Sequence, residues 1–120
     1  MAGVTGIGGV FLRSADPERL ASWYRENLKV NFDATHVAII PDTMDAYSVL
    51  AVFPGESTYI GAPERQNVMI NFRVDDLVEL RRELLARGVE CEEITTEEYG
   101  LFTWTHDVDG NRVELWQPLS

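Results

Sequence analysis

The sequence predicts an α+β fold built from two copies of one strand-helix-strand-strand-strand module. Two amphipathic helices with N-terminal caps, "ADPERLASWYRENL" and "DDLVELRRELLARG", are each preceded by a run of β-favouring residues. Setting Asp16 against Asp76, an offset of 60 in a chain of 120 residues, also superposes Arg13 on Arg73 and Leu20 on Leu80. A repeat at half the chain length points to two related modules.

The elements follow in order. "TGIGGVFLR" reads as a strand weakened by glycine. In the first helix Asp16 caps, Pro17 suits the first helical position, and Leu20, Trp23, Tyr24, Asn27 and Leu28 follow helical spacing. Three strands are expected after it, near "VNFDATHVAII", "AYSVLAVF" and "TYIG", with Pro54 and Gly55 turning the chain between the last two. "GAPERQ", residues 61–66, connects the halves. "NVMINFRV" is the strand that opens the second half. In the helix after it Asp76 and Glu79 have capping-box spacing, Leu77, Leu80 and Leu84 form a stripe, and Gly88 ends the helix. "VECEEI", "LFTWTH" and "NRVELWQ" complete the set, the last two joined by the hairpin signal Asp109-Gly110. The reading is one domain, 1–120, with modules 1–62 and 63–120.

Composition narrows the function. With 45% hydrophobic and 25% charged residues the chain reads as an ordinary globular domain rather than a disordered segment. A formal charge of −10 repels nucleic acid and anionic membrane, and both are set aside as partners. No apolar run is long enough to span a bilayer, the opening residues lack a secretory pattern, and a single cysteine excludes an internal disulfide, so a cytoplasmic protein is expected. Cys91 lies in an acidic stretch that disfavours a thiolate nucleophile. "GIGG" lacks the spacing of a phosphate or dinucleotide loop, and no serine-hydrolase elbow is present.

In the last strand Val113 and Leu115 are apolar, so alternation gathers Arg112, Glu114 and Trp116 on the opposite face. This strand also carries a resemblance. "GGVFLRSADPERLASWYRENLKV", "MINFRVDDLVELRRELLARGVE" and "FTWTHDVDGNRVELWQP" resemble the glyoxalase/bleomycin resistance/dioxygenase (vicinal oxygen chelate) superfamily over nearly the whole chain, with Val108 where that family usually has proline. The resemblance implies paired βαβββ modules whose strands curl into a cup with helices outside, and commonly a homodimer. It also implies that the glutamate of the "EL" motif, here Glu114, faces the cup, where in many members it binds a divalent metal.

The other ligand positions do not match. The resemblance puts Gly9 at the first and Met69 at the third, neither offering a hard or borderline donor, and the second near Thr58, Tyr59 or Ile60. His36 and His106 are expected to be structural or solvent-facing. No cofactor is therefore expected, a divalent metal on Glu114 being the alternative. Strand parity places Asn67, Met69, Asn71 and Arg73 toward the cup, and the repeat adds Gly9, Phe11 and Arg13. Arg13 and Arg73 either pair with Glu114 or anchor a ligand. Tyr59, Trp104 and Trp116 complete the candidate set, the tryptophans with packing as their simpler role. The leading expectation is a metal-independent binder of a small organic molecule, like the bleomycin-resistance type. Its rival is a glyoxalase- or lyase-type enzyme in which Glu114 is a metal ligand or general base.

Overall fold

The computed structural model describes residues 2–28, 30–41 and 47–119 and divides them between two units, Gly9–Met69 and Met1–Gly8 with Ile70–Ser120. Strand β1 (Val4–Ser14) begins in one unit and ends in the other.

In the unit Gly9–Met69, β1 is followed by α1 (Pro17–Leu28), β2 (Val37–Pro41) and β3 (Tyr47–Pro54). Asp16 caps α1 as expected, its Oδ1 accepting the Arg19 N–H at 3.1 Å. The side chains expected of Asn27 and Leu28, and Ala46 at the start of a predicted strand, fall outside the described residues. The helix forms the crossover that a parallel pair needs: β3 runs parallel to β1, with Phe11 opposite Ala51, and antiparallel to β2, with Ala38 opposite Leu50. Ala21, Phe32, Ala38 and Val52 form the core beneath the helix, joined by Leu20, Tyr24, Val30 and Leu50. Alternation therefore turns Val49, Ala51 and Phe53 to the other face of β3. The strand expected at "TYIG" is absent; the segment forms turns, with Gly61 N–H donating to Thr58 O at 3.2 Å and Arg65 N–H to Ala62 O at 2.9 Å. The Gly61 carbonyl goes to Arg13 instead of a ladder, and Gly61 takes φ +105°, where a Cβ would collide with Gln66.

The second unit carries β4 (Val68–Val74), α2 (Leu77–Ala86), β5 (Thr95–Glu97), β6 (Gly100–His106) and β7 (Arg112–Pro118). Asp76 caps α2 through the Glu79 N–H at 3.1 Å. The capping box is only half made, because the Glu79 carboxylate is taken by Arg82 at 2.8 Å. Gly88, at φ +83°, follows the helix end. β7 pairs in parallel with β4 and antiparallel with β6, which pairs with β5. Helix α2 covers one face of these strands: Val74, Leu77 and Leu115 are the buried centre, packed by Phe72, Leu80, Leu84, Ile94, Leu101 and Val113. "VECEEI" is not a strand; its backbone meets β6 at an isolated bridge from Cys91 to Thr105, beside which the Glu92 N–H donates to Trp104 O at 2.9 Å. The Thr105 and Thr103 hydroxyls bind the carbonyls of Glu90 and Glu92 at 2.6 Å each, and Arg81 Nε binds Glu92 O at 2.8 Å, so side chains replace ladder bonds there. The hairpin at 107–111 closes as predicted, with Asp107 Oδ1 accepting the N–H groups of Asp109 and Asn111.

Candidate functional site

The face of β4, β7 and β6 turned away from α2 collects the predicted polar residues of this unit. In the parallel register Asn71 lies opposite Glu114, and in the antiparallel register Trp104 lies opposite Glu114. Three side chains thus stand in one row across three strands. Glu114 is 1% exposed and Asn71 2%. A carboxylate out of water needs compensating hydrogen bonds, and both neighbours supply one: Asn71 Nδ2 donates to Oε1 at 2.5 Å and Trp104 Nε1 donates to Oε2 at 2.8 Å.

The next row is aromatic. Phe102 lies opposite Trp116 on the neighbouring strand and stacks on it at 6.0 Å with 6° between the planes; Trp104 continues the stack at 6.4 Å. The Arg112 guanidinium lies 5.2 Å from the Trp104 ring centroid and pairs with Glu92. Trp116 Nε1 donates to Tyr99 O at 2.8 Å. The tryptophans are therefore both packed and hydrogen-bonded. Strand β1 contributes bare backbone here: a Cβ on Gly6 would meet the Arg73 guanidinium at 2.6 Å, and one on Gly8 would meet Asn71 Oδ1 at 1.9 Å and Trp116 at 2.8 Å.

The other candidates lie elsewhere in their units. Met69 is fully buried. Arg13, expected either to pair with Glu114 or to anchor a ligand, does neither of these with the contacts it makes: Nε and both Nη groups donate to the carbonyls of Gly55, Ser57, Gly61 and Gln66 at 2.5–3.1 Å. It is the clamp of the 55–67 segment. Phe11 packs against Phe53 and Tyr59, whose rings stack at 5.1 Å. His36, at φ 65°, lies 3.2 Å from Glu18, and His106 is exposed beside Arg112 at the end of β6. Arg25 and Ser22 hold the Glu18 carboxyl down to about 2. A shallow groove along α1, lined by Ser14, Asp16, Arg19, Trp23 and Glu26, contains none of the candidates.

The donor set does not fit a divalent metal. Both Glu114 oxygens accept N–H groups, and among the described residues no cluster of three His, Cys, Asp or Glu side chains is placed to hold an ion. The second ligand position also moves. Since Phe11 corresponds to Asn71 in the repeat, the partner of Phe11, Ala51, corresponds to Glu114; Thr58–Ile60 lies in turns rather than on that strand. Ala51 has no donor atom. Phe102 was missed from the sequence although its parity with Trp104 marks it, and Gly8 gave no local signal.

A model of the Glyoxalase/Bleomycin resistance protein/Dioxygenase superfamily matches residues 6–115, and the chain belongs to that superfamily. Its fold is accordingly α+β and glyoxalase-like. Among solved structures it is similar to methylmalonyl-CoA epimerase of Streptomyces coelicolor in complex with 2-nitronate-propionyl-CoA, at TM-score 0.76 and 19% identity over 98% of this chain and 100% of that one. The Mycobacterium tuberculosis methylmalonyl-CoA epimerase gives TM-score 0.69 and 20% identity over 98% and 90%. A superfamily member from Vibrio splendidus gives 0.61 and 12% over 98% and 99%. No curated protein matches the sequence at a significant level. Among the described residues no helix is long and apolar enough to cross a membrane.

Proposed function

We propose that the chain binds a small organic molecule, without a resident metal, on the face carrying Asn71, Arg73, Trp104, Glu114 and Trp116. The observation that carries this is the hydrogen bonding of Glu114: its two oxygens each accept an N–H, which holds the carboxylate as a fixed polar group, and among the described residues no further His, Cys, Asp or Glu side chains gather beside it to complete an ion site. An aromatic stack beside a few convergent polar groups is the composition of small-molecule sites. A homodimer is proposed with it, as the superfamily resemblance suggests, and light scattering on the purified protein tests that.

Because Trp104 touches Glu114, indole fluorescence reports the site directly. A compound screen read by quenching should find a saturable ligand, and Arg73→Ala or Glu114→Ala should abolish its binding. Saturable binding indifferent to both changes would place the ligand elsewhere.

The second reading is a proton-transferring enzyme of glyoxalase or lyase type with Glu114 as base. Its support is that two of the similar structures are named as methylmalonyl-CoA epimerases. Incubation with acyl-CoA and α-oxo substrates in D2O tests it: deuterium incorporation that Glu114→Gln removes would favour the enzyme.

A further inference from the structure

The two ends of the Asn71 amide have different surroundings. Nδ2 donates to Glu114 Oε1, whereas Oδ1, also buried, has no hydrogen-bond partner among the described residues. The carbonyl end rests against the backbone of Gly8, where a Cβ would come to 1.9 Å. Turning the amide end for end would set two acceptors, Oδ1 and Oε1, against each other and aim Nδ2 at an α-carbon that cannot accept. The amide is therefore fixed in the one orientation that presents a donor to the carboxylate, with an unsatisfied carbonyl left behind. An unpaired buried polar atom in a native fold calls for a reason, and here the reason is the aim of Nδ2.

We infer that Asn71 is the positioning residue of Glu114, and that Gly8 is the position that lets it reach. The inference rests on the reading of Glu114 as the polar centre of the ligand face and deepens it by naming what aims the carboxylate. Asn71 and Trp104, from the strands on either side of β7, hold one carboxylate oxygen each, so the plane of the group is set before any ligand arrives. Any residue larger than glycine at position 8 would displace the Asn71 carbonyl, and through it Glu114.

The test uses the ligand-free, 15N-labelled full chain, so its outcome is independent of any ligand screen. In the wild type the Trp104 indole N–H and one Asn71 side-chain N–H should resonate downfield, and Glu114→Gln should shift both. Asn71→Leu keeps the shape and the packing; it should still move the Trp104 resonance upfield and broaden it, although the substituted side chain does not reach the indole, because the carboxylate loses its aim. Asn71→Ala serves as the second variant where the leucine disturbs folding. Gly8→Ala should displace the same resonances in the wild-type background and displace them clearly less in the Asn71→Ala background, where only its contact with Trp116 remains. A Trp104 resonance unchanged in both Asn71 variants, or Gly8→Ala effects that persist in full without Asn71, would overturn the inference. An intact signature with no ligand found would count against the proposed function alone.

Discussion

Arg13 and Arg73 occupy the same place in the two halves of the chain, 60 residues apart, yet their surroundings differ. Arg13 is closed in by the carbonyls of its own connecting segment, which take up the donors a ligand would use. Arg73 instead lies over Gly6, one position along the strand face from the Asn71–Glu114 row. The parallel pairs show the same divergence: Phe11 faces Ala51 in one half, Asn71 faces Glu114 in the other. The second half gathers its polar side chains into one row, whereas the arginine at the matching place in the first half fixes a connecting segment.

The largest expected effect is at Arg13. Replacing it with alanine strips charge-assisted bonds from four carbonyls, and the expected loss is about 4 kcal/mol in denaturant unfolding. Lysine should recover little, since an ammonium cannot span the fork of acceptors that a guanidinium reaches. In the other copy, Glu114→Ala leaves the Asn71 and Trp104 donors facing a void, and about 3 kcal/mol should be lost. If Arg13→Ala costs less than Glu114→Ala, the division into structural and site-building copies fails.

The helix caps are alike in the two halves. Asp16 and Asp76 each accept one N–H at 3.1 Å three residues on, so Asp16→Ala and Asp76→Ala should each cost about 1 kcal/mol, equal within error. Glu18 gives the smallest effect. Its carboxyl is held down to about 2 from an ordinary 4.5, chiefly by Arg25. A carboxylate lowered in the folded state contributes above its unfolded value and stops contributing as pH falls through its folded one. Stability should therefore decline between about pH 4.5 and 2, less steeply in Glu18→Gln and less steeply in high salt, because the pair is exposed.

Local signals were readable in advance. Both caps, Gly88 and the Asp109-Gly110 hairpin depend on residues within a turn of one another, and each is where the sequence puts it. "TYIG" and "VECEEI" depart from expectation for the opposite reason: both have β-favouring residues, but the first closes into turns with its Gly61 carbonyl held by Arg13, and in the second Thr103, Thr105 and Arg81 take the Glu90 and Glu92 carbonyls. Alternation sufficed to put Glu114 on the face away from α2. Its partner required the register of two parallel strands whose facing residues are 43 apart, which nothing near either residue encodes. The same gap led the second ligand position to the 58–60 turns instead of Ala51.

The account turns on Glu114 being a carboxylate held by N–H donors rather than a metal ligand. Thermal unfolding of chelator-treated protein, wild type beside Glu114→Ala, against Ni, Co, Zn, Mn and Fe(II) addresses that directly, because an ion that binds the native state must raise its midpoint. The account predicts no shift with any ion in either protein. A rise of several degrees in the wild type, absent from Glu114→Ala, would contradict it.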